Sequence, residues 1–214
     1  EARSPTLDED PTYGRLREPV LKLLYALRAL DYVDFGGDAH QVEFDYLEEV
    51  LGQEAYRSQS VFNFFLPDFE APGPIAEHVL VSPEAQVFST PRIIHMMNGL
   101  ASLTRDGLSN CDGGFAVRHF DRKCNSATNR PQMSDGNLSF TPSSTHLPNS
   151  SAAGELVDEL DLLMTCGRLN AATKAFIVEE VESVAATSPD PAAAVRRAEQ
   201  LIVVAPEYHT TNKA

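Results

Sequence analysis

The sequence predicts a mainly α protein, a non-repeating helical bundle interrupted by an ordered loop rich in proline and aromatic residues and by a long irregular excursion. Apolar residues recur at spacings of three and four in successive stretches, with Pro, Asn or Asp at their starts and Gly at several of their ends. Three such stretches follow one another through short links between residues 154 and 208, the pattern of helices packed as neighbours. The composition, 43% hydrophobic and 22% charged over 214 residues, is enough for one substantial core.

In chain order, residues 1–17 are polar and punctuated by Pro5, Pro11 and Gly14, and read as a solvated leader. Their acidic group, Asp8, Glu9 and Asp10, lacks the alternating ligands, glycine turn and distal Glu of a calcium loop. Glu1 to Pro5 show neither an initiator Met nor a charged-then-apolar signal, so the natural start is expected elsewhere. Residues 18–103 form a helical segment. Its first helix starts at Pro19, suited to the first helical position, and carries Val20, Leu23, Leu24, Leu27 and Leu30 on one face, ending near Gly36-Gly37. A second is expected from Phe44, Leu47, Val50 and Leu51, with Gly52 as its stop. His40, just before it, reads as a surface residue.

Residues 60–74 hold Phe62, Phe64, Phe65 and Phe69 among Pro67, Pro72, Gly73 and Pro74. Prolines deny this stretch a regular hydrogen-bond ladder, so it must be an ordered loop. Burying each ring is worth roughly 1.5–3 kcal/mol, which makes a structural plug between helices the plain reading. A second reading is an aromatic-floored cleft with Asn63 and Asp68 at its rim. Ser82-Pro83-Glu84 then marks a helix start, and Thr90-Pro91 repeats the signal, giving either two short helices or one kinked helix. Ile93, Met97, Leu100 and Leu103 define its buried stripe. Arg92 and His95, three apart, share a side of it. His95 is the histidine to test for function, against the plainer reading of a hydrogen-bonded structural residue.

Residues 104–153 are rich in Ser, Asn, Gly and Pro and form the irregular excursion. Cys111 and Cys124 close a loop of a length that a disulfide stabilises by about 3 kcal/mol. A zinc site would need close ligand pairs, and no CxxC or HxxxH spacing exists here, so no metal or cofactor is expected. Cys166 is expected as a buried free thiol. Two glycosylation sequons, at Asn137 and Asn149, lie in the same excursion, and beside a disulfide they favour a secreted or lumenal protein. Residues 154–208 form the three-helix segment: Leu156, Leu160, Leu163 and Met164 end at Gly167; Asn170 caps Ile177, Val181 and Val184; Asp190-Pro191 opens Val195, Ala198, Leu201 and Ile202, stopped before Pro206. Glu155, Asp158, Glu159 and Asp161 read as a solvated acidic face.

The succession Leu51-Gly52-Gln53, Ser60-Val61-Phe62-Asn63-Phe64 with Pro67 and Pro72-Gly73, Ser82-Pro83-Glu84, Leu156 to Leu163 with Gly167-Arg168-Leu169, and Ala205-Pro206-Glu207-Tyr208 resembles the C-terminal part of the bacterial "domain of unknown function 1800" family. Arg17 to Leu21 fits the family's preceding helix, and the resemblance spans nearly the whole chain except the cysteine-bearing excursion. It implies an N-terminal helical half absent from this sequence and an exported protein. No reaction or catalytic residue is established for the family, so none carries over.

With 17 Lys and Arg against 31 Asp and Glu, the net charge of −14 repels nucleic acid. No apolar run is long enough to span a bilayer. The absence of a nucleophile elbow, HExxH, phosphate loop or paired cysteine-histidine site favours a structural or interaction component of an exported assembly, packed on its own upstream half or on another subunit. The alternative is the C-terminal part of an exported hydrolase-like enzyme, its cleft completed here by Asn63, Asp68, Arg92 and His95.

Overall fold

The computed structural model describes residues 14–34, 44, 47–58, 60–109, 111–115, 140–141 and 152–211. His40, His119, Cys124, Asn137 and Asn149 lie outside the described residues, and so do the Cys111–Cys124 pairing and both sequons. The described chain is mainly helical: α1 (Pro19–Ala29), α2 (Leu47–Leu51), α3 (Pro74–Glu77), α4 (Thr90–Asp106), α5 (Ala153–Thr165), α6 (Ala171–Thr187), α7 (Pro191–Val204) and α8 (Pro206–His209). Strands β1 (Val33–Asp34) and β2 (Phe140–Thr141) pair antiparallel, with Val33 opposite Thr141. α7 sits at the centre, packed on α4, α5, α6 and α8, while α1 closes the core against α2, α4 and α5.

The caps of the C-terminal helices are those the sequence predicts. Asn170 Oδ1 accepts the Thr173 amide at 2.9 Å and Asp190 Oδ1 the Ala192 amide at 3.0 Å, each satisfying a donor that the first helical turn leaves unpaired. α5 ends as Cys166 and Gly167 turn left-handed, at φ 61° and 73°, returning their amides to the Leu162 and Asp161 carbonyls. Leu156, Leu160, Met164, Ile177, Val181, Ala198 and Ile202 are all buried. Cys166 is free, as expected, yet exposed rather than buried, because the end of α5 carries it past the packed face.

The acidic face of α5 is only partly solvated. Glu155 and Asp158 are exposed, whereas Asp161 is buried, on the face that carries Val157 and Met164. Its carboxylate accepts the Leu169 amide at 3.0 Å and the Thr165 hydroxyl, and pairs with Lys174 at 2.8 Å. One carboxylate thus fixes the turn from α5 to α6, as buried charges require pairing.

Several N-terminal expectations are corrected. The end of the leader is paired with the C-terminal segment, although Gly14 and Arg15 stay exposed. Leu16 bridges Thr210, the Arg17 amide donates to the His209 carbonyl at 2.9 Å, and the Thr211 amide to the Arg15 carbonyl at 3.0 Å. α1 stops at Ala29, before Gly36-Gly37, because Asp31 turns to φ 46° and the chain becomes β1. Its buried face is Pro19, Lys22, Leu23 and Ala26, with Val20, Leu24 and Leu27 half-buried. Gly52 does stop α2, at φ 80°, and a Cβ there would lie 2.9 Å from the Arg92 guanidinium. Pro83–Val87 is a 3-10 turn separate from α4, which starts at Thr90 with Ser89 as its cap residue.

The excursion begins later than residue 104, because α4 continues to Asp106. Two described parts of it return to the rest of the fold. Phe140–Thr141 forms β2, and buried Phe115 presses on Gly99 of α4, where a Cβ would sit 2.2 Å from its ring. The stripe of α4 is rotated from the predicted one. Met96, Leu100 and Leu103 are buried, while Ile93 is exposed.

The largest correction concerns the loop at 60–74. It is ordered, as its prolines demand, through local turns and two longer bonds: Leu66 N to Gln86 Oε1 at 2.7 Å and Ser82 N to the Phe69 carbonyl at 2.8 Å. It is not a plug. Phe62 is 65% exposed, Val61 and Leu66 are exposed, Phe64, Phe65 and Phe69 are half-buried, and none of these rings joins the core cluster.

Candidate functional site

The register of α1 that buries Leu23 and Ala26 also buries Lys22, whose methylene stem can lie along apolar neighbours. The residue as a whole is buried. Nζ lies 4.0 Å above the centre of the Phe88 ring, and both residues line a cleft of about 670 Å³. The loop contributes Phe69 and Pro72 to this cleft, α4 contributes Ile93 and Met96, and the start of α8 contributes Pro206. That volume and apolar lining match small-molecule sites.

His209, at the end of α8, also lines the cleft. α8 is held there by Tyr208, whose hydroxyl donates to the Lys22 carbonyl at 2.5 Å, and by Glu207, whose Oε1 accepts the Asn170 amide at 3.1 Å and its side-chain NH₂ at 2.7 Å. The His209 ring stands edge-on to Tyr208 at 5.3 Å, and among the described residues neither ring nitrogen makes a well-formed hydrogen bond. Arg17 stacks over Tyr25 at 4.3 Å, adding a cation behind the same wall.

Burial sets the protonation of both groups, and neighbouring cations push the same way. Lys22 is 3% exposed, and its ammonium is lowered to about 8, first by desolvation and then by Arg17. His209 is 7% exposed and lowered to about 4 by burial and by Lys22, with Arg17 adding to this and the Val203 carbonyl opposing it. At neutral pH the cleft therefore presents one ammonium and one neutral imidazole. Among the described residues, the only partner of the Lys22 ammonium is the face of Phe88.

The residues predicted from the sequence do not line this cleft. Asn63, Asp68 and His95 are exposed, and Asn63 lies in a tight turn at φ 72°. Arg92 packs against Gly52 and donates to the Val87 carbonyl at 3.3 Å. Only the aromatic floor of the second loop reading has a counterpart, in Phe69. Among the described residues no group of three His, Cys, Asp or Glu side chains could hold a metal ion, and no helix is long and apolar enough to cross a membrane.

Lys22 and His209 escaped sequence reasoning for a physical reason. A lysine within an amphipathic helix reads as solvated, and a histidine after the last long helix has no periodicity to place it. The signal available was the position of Lys22 three residues after Pro19 and one before Leu23, on the buried face. Compared with models of protein families, with curated proteins and with solved structures, the chain matches none.

Proposed function

We propose that this chain is an interaction component of an exported protein assembly, receiving another subunit along residues 61–94. The observation that carries the reading is where apolar surface lies. Of the thirteen large hydrophobic side chains that are exposed among the described residues, eight fall in this stretch: Val61, Phe62, Leu66, Val79, Leu80, Val81, Ile93 and Ile94. Exposed apolar side chains concentrated in this way are the mark of an interface, whereas single ones are ordinary. Charge selects the partner. The stretch exposes three acids, Asp68, Glu70 and Glu77, against one base, Arg92, within a chain of net charge −14, so a second copy is disfavoured. The fitting partner has an apolar face rimmed by Lys and Arg.

Export is the compartment this reading assigns, supported by the Cys111 and Cys124 spacing, the sequons at Asn137 and Asn149, and the resemblance to the "domain of unknown function 1800" family. The hydrolase alternative draws no support from the cleft between the loop, α4 and α8, which none of its four residues lines.

The test isolates the native chain from its source with every protein that accompanies it, beside a variant carrying Phe62→Ser, Val79→Ser and Leu80→Ser. The expected result is a stoichiometric partner lost from the variant while helicity stays intact. A non-reducing peptide map of the same material is expected to show the Cys111–Cys124 link and glycans on Asn137 or Asn149. A chain that is alone in both preparations contradicts the interaction reading, and free thiols with bare asparagines contradict export.

A further inference from the structure

We infer that the cleft between the aromatic loop, α4 and α8 binds a small amphiphile with one carboxylate, its apolar body against Phe69, Ile93 and Met96 and its carboxylate on Lys22 and His209. This goes beyond the docking surface. The eight exposed apolar side chains of that surface share only Ile93 with the cleft, although Phe69, Pro72 and Phe88 of the lining lie in the same stretch of chain.

Three features lead to this ligand. First, the walls are apolar, so the body of the ligand must be aliphatic or aromatic to gain from entering. Second, Lys22 is a buried residue whose ammonium, among the described residues, has no anion beside it, an arrangement that costs free energy unless something negative completes it. The charges acting on Lys22 make this sharper. Arg17 is a second cation, and His209 is neutral at pH 7. Third, both His209 ring nitrogens are buried and, among the described residues, make no well-formed hydrogen bond, so a ligand oxygen offers the ring N–H a better acceptor than the Val203 carbonyl does.

One ammonium and one neutral N–H donor match a single negative charge. A phosphate monoester would bring a second charge into an apolar cleft whose lining offers no second cation, since Arg17 does not line it. The exposed acids Asp68 and Glu70, on either side of the lining residue Phe69, also disfavour a polyanion. A carboxylate placed on Lys22 would turn its contact with the Phe88 face into a charge-assisted hydrogen bond.

The experiment titrates the full chain with decanoate and with decanol, below their aggregation concentrations, by calorimetry, and repeats both with Lys22→Met. The native chain is expected to bind one decanoate at about tenfold or higher affinity over decanol, a difference of about 1.4 kcal/mol. Lys22→Met keeps the length of the buried stem, and is expected to bind acid and alcohol equally while melting at a higher temperature, because the lone buried charge is gone. Equal binding of the two ligands by the native chain overturns the inference, as does no binding of either. A preference that survives in Lys22→Met overturns the role of Lys22. Should that variant not fold, His209→Phe supplies the second comparison, with a loss of preference expected and an unchanged preference contradicting the role of the ring.

Discussion

Glu199 is 1% exposed within α7, and among the described residues one of its carboxylate oxygens has no hydrogen-bond partner. Burial raises it from 4.5 to about 8, with Arg196 pulling weakly the other way, so it is protonated at neutral pH. The unfolded chain ionises near 4.5 while the folded chain keeps its proton, so the stability due to this residue is fully present below the unfolded value. That stability is lost as pH rises through about 8, at up to about 1.4 kcal/mol per pH unit. Glu199→Gln should flatten this descent, read from urea unfolding at several pH values. His209 acts with the opposite sign. It is lowered to about 4, and its contribution is lost as pH falls from near 6.5 towards that value. His209→Phe should remove that acid-side loss in the same unfolding series. Gly99 gives a purely steric prediction. Gly99→Ala meets the Phe115 ring, and should cost about 1–3 kcal/mol in denaturant unfolding, with Phe115→Leu recovering part of it. None of these residues was legible from the sequence. A glutamate in an amphipathic helix reads as solvated and a mid-helix glycine as a weak spot, since the partner that gives each its meaning lies far away in the chain.

At the scale of elements, α5 to α7 were read almost completely, because caps and apolar spacing are local and act within a turn of where they stand. Asn170 shows both the reach and the limit of such reading. Its capping of Thr173 is local and was predicted, while its grip on Glu207 is tertiary and was not. Asp161 makes the same point, having been read with its acidic neighbours as solvated. Asp161→Ala removes the acceptor of the Leu169 amide and the Thr165 hydroxyl, while the partly exposed Lys174 keeps Asp158, and should cost about 1–3 kcal/mol, as a buried donor left unpaired does, with the greatest loss of amide protection at 165–170. The loop at 60–74 misled for a related reason. Its order follows from proline chemistry and was legible. The burial of its rings was inferred on the assumption that the chain covers its own aromatics, and Phe62 is left in the open.

For the whole molecule, the mainly α architecture followed from the sequence, but the closure of its two ends did not. The Arg15–Arg17 segment and the Thr210 and Thr211 segment pair across nearly the full chain length, and Tyr208 is tied to Lys22 from 186 residues away. That closure builds one wall of the cleft, which is why the site was invisible to an order-by-order reading. It also leaves the exposed apolar side chains concentrated between residues 61 and 94. Burying an exposed ring such as Phe62 against a partner is worth roughly 1.5–3 kcal/mol, so a few such residues suffice for a stable contact. The most direct test of this account is hydrogen exchange on the chain within the complex isolated from its source, compared with the same chain purified alone. The account predicts that amides of residues 61–82 exchange about tenfold or more slowly in the complex, while those of α5 to α7 are unchanged. Equal exchange of residues 61–82 in the two samples would contradict it.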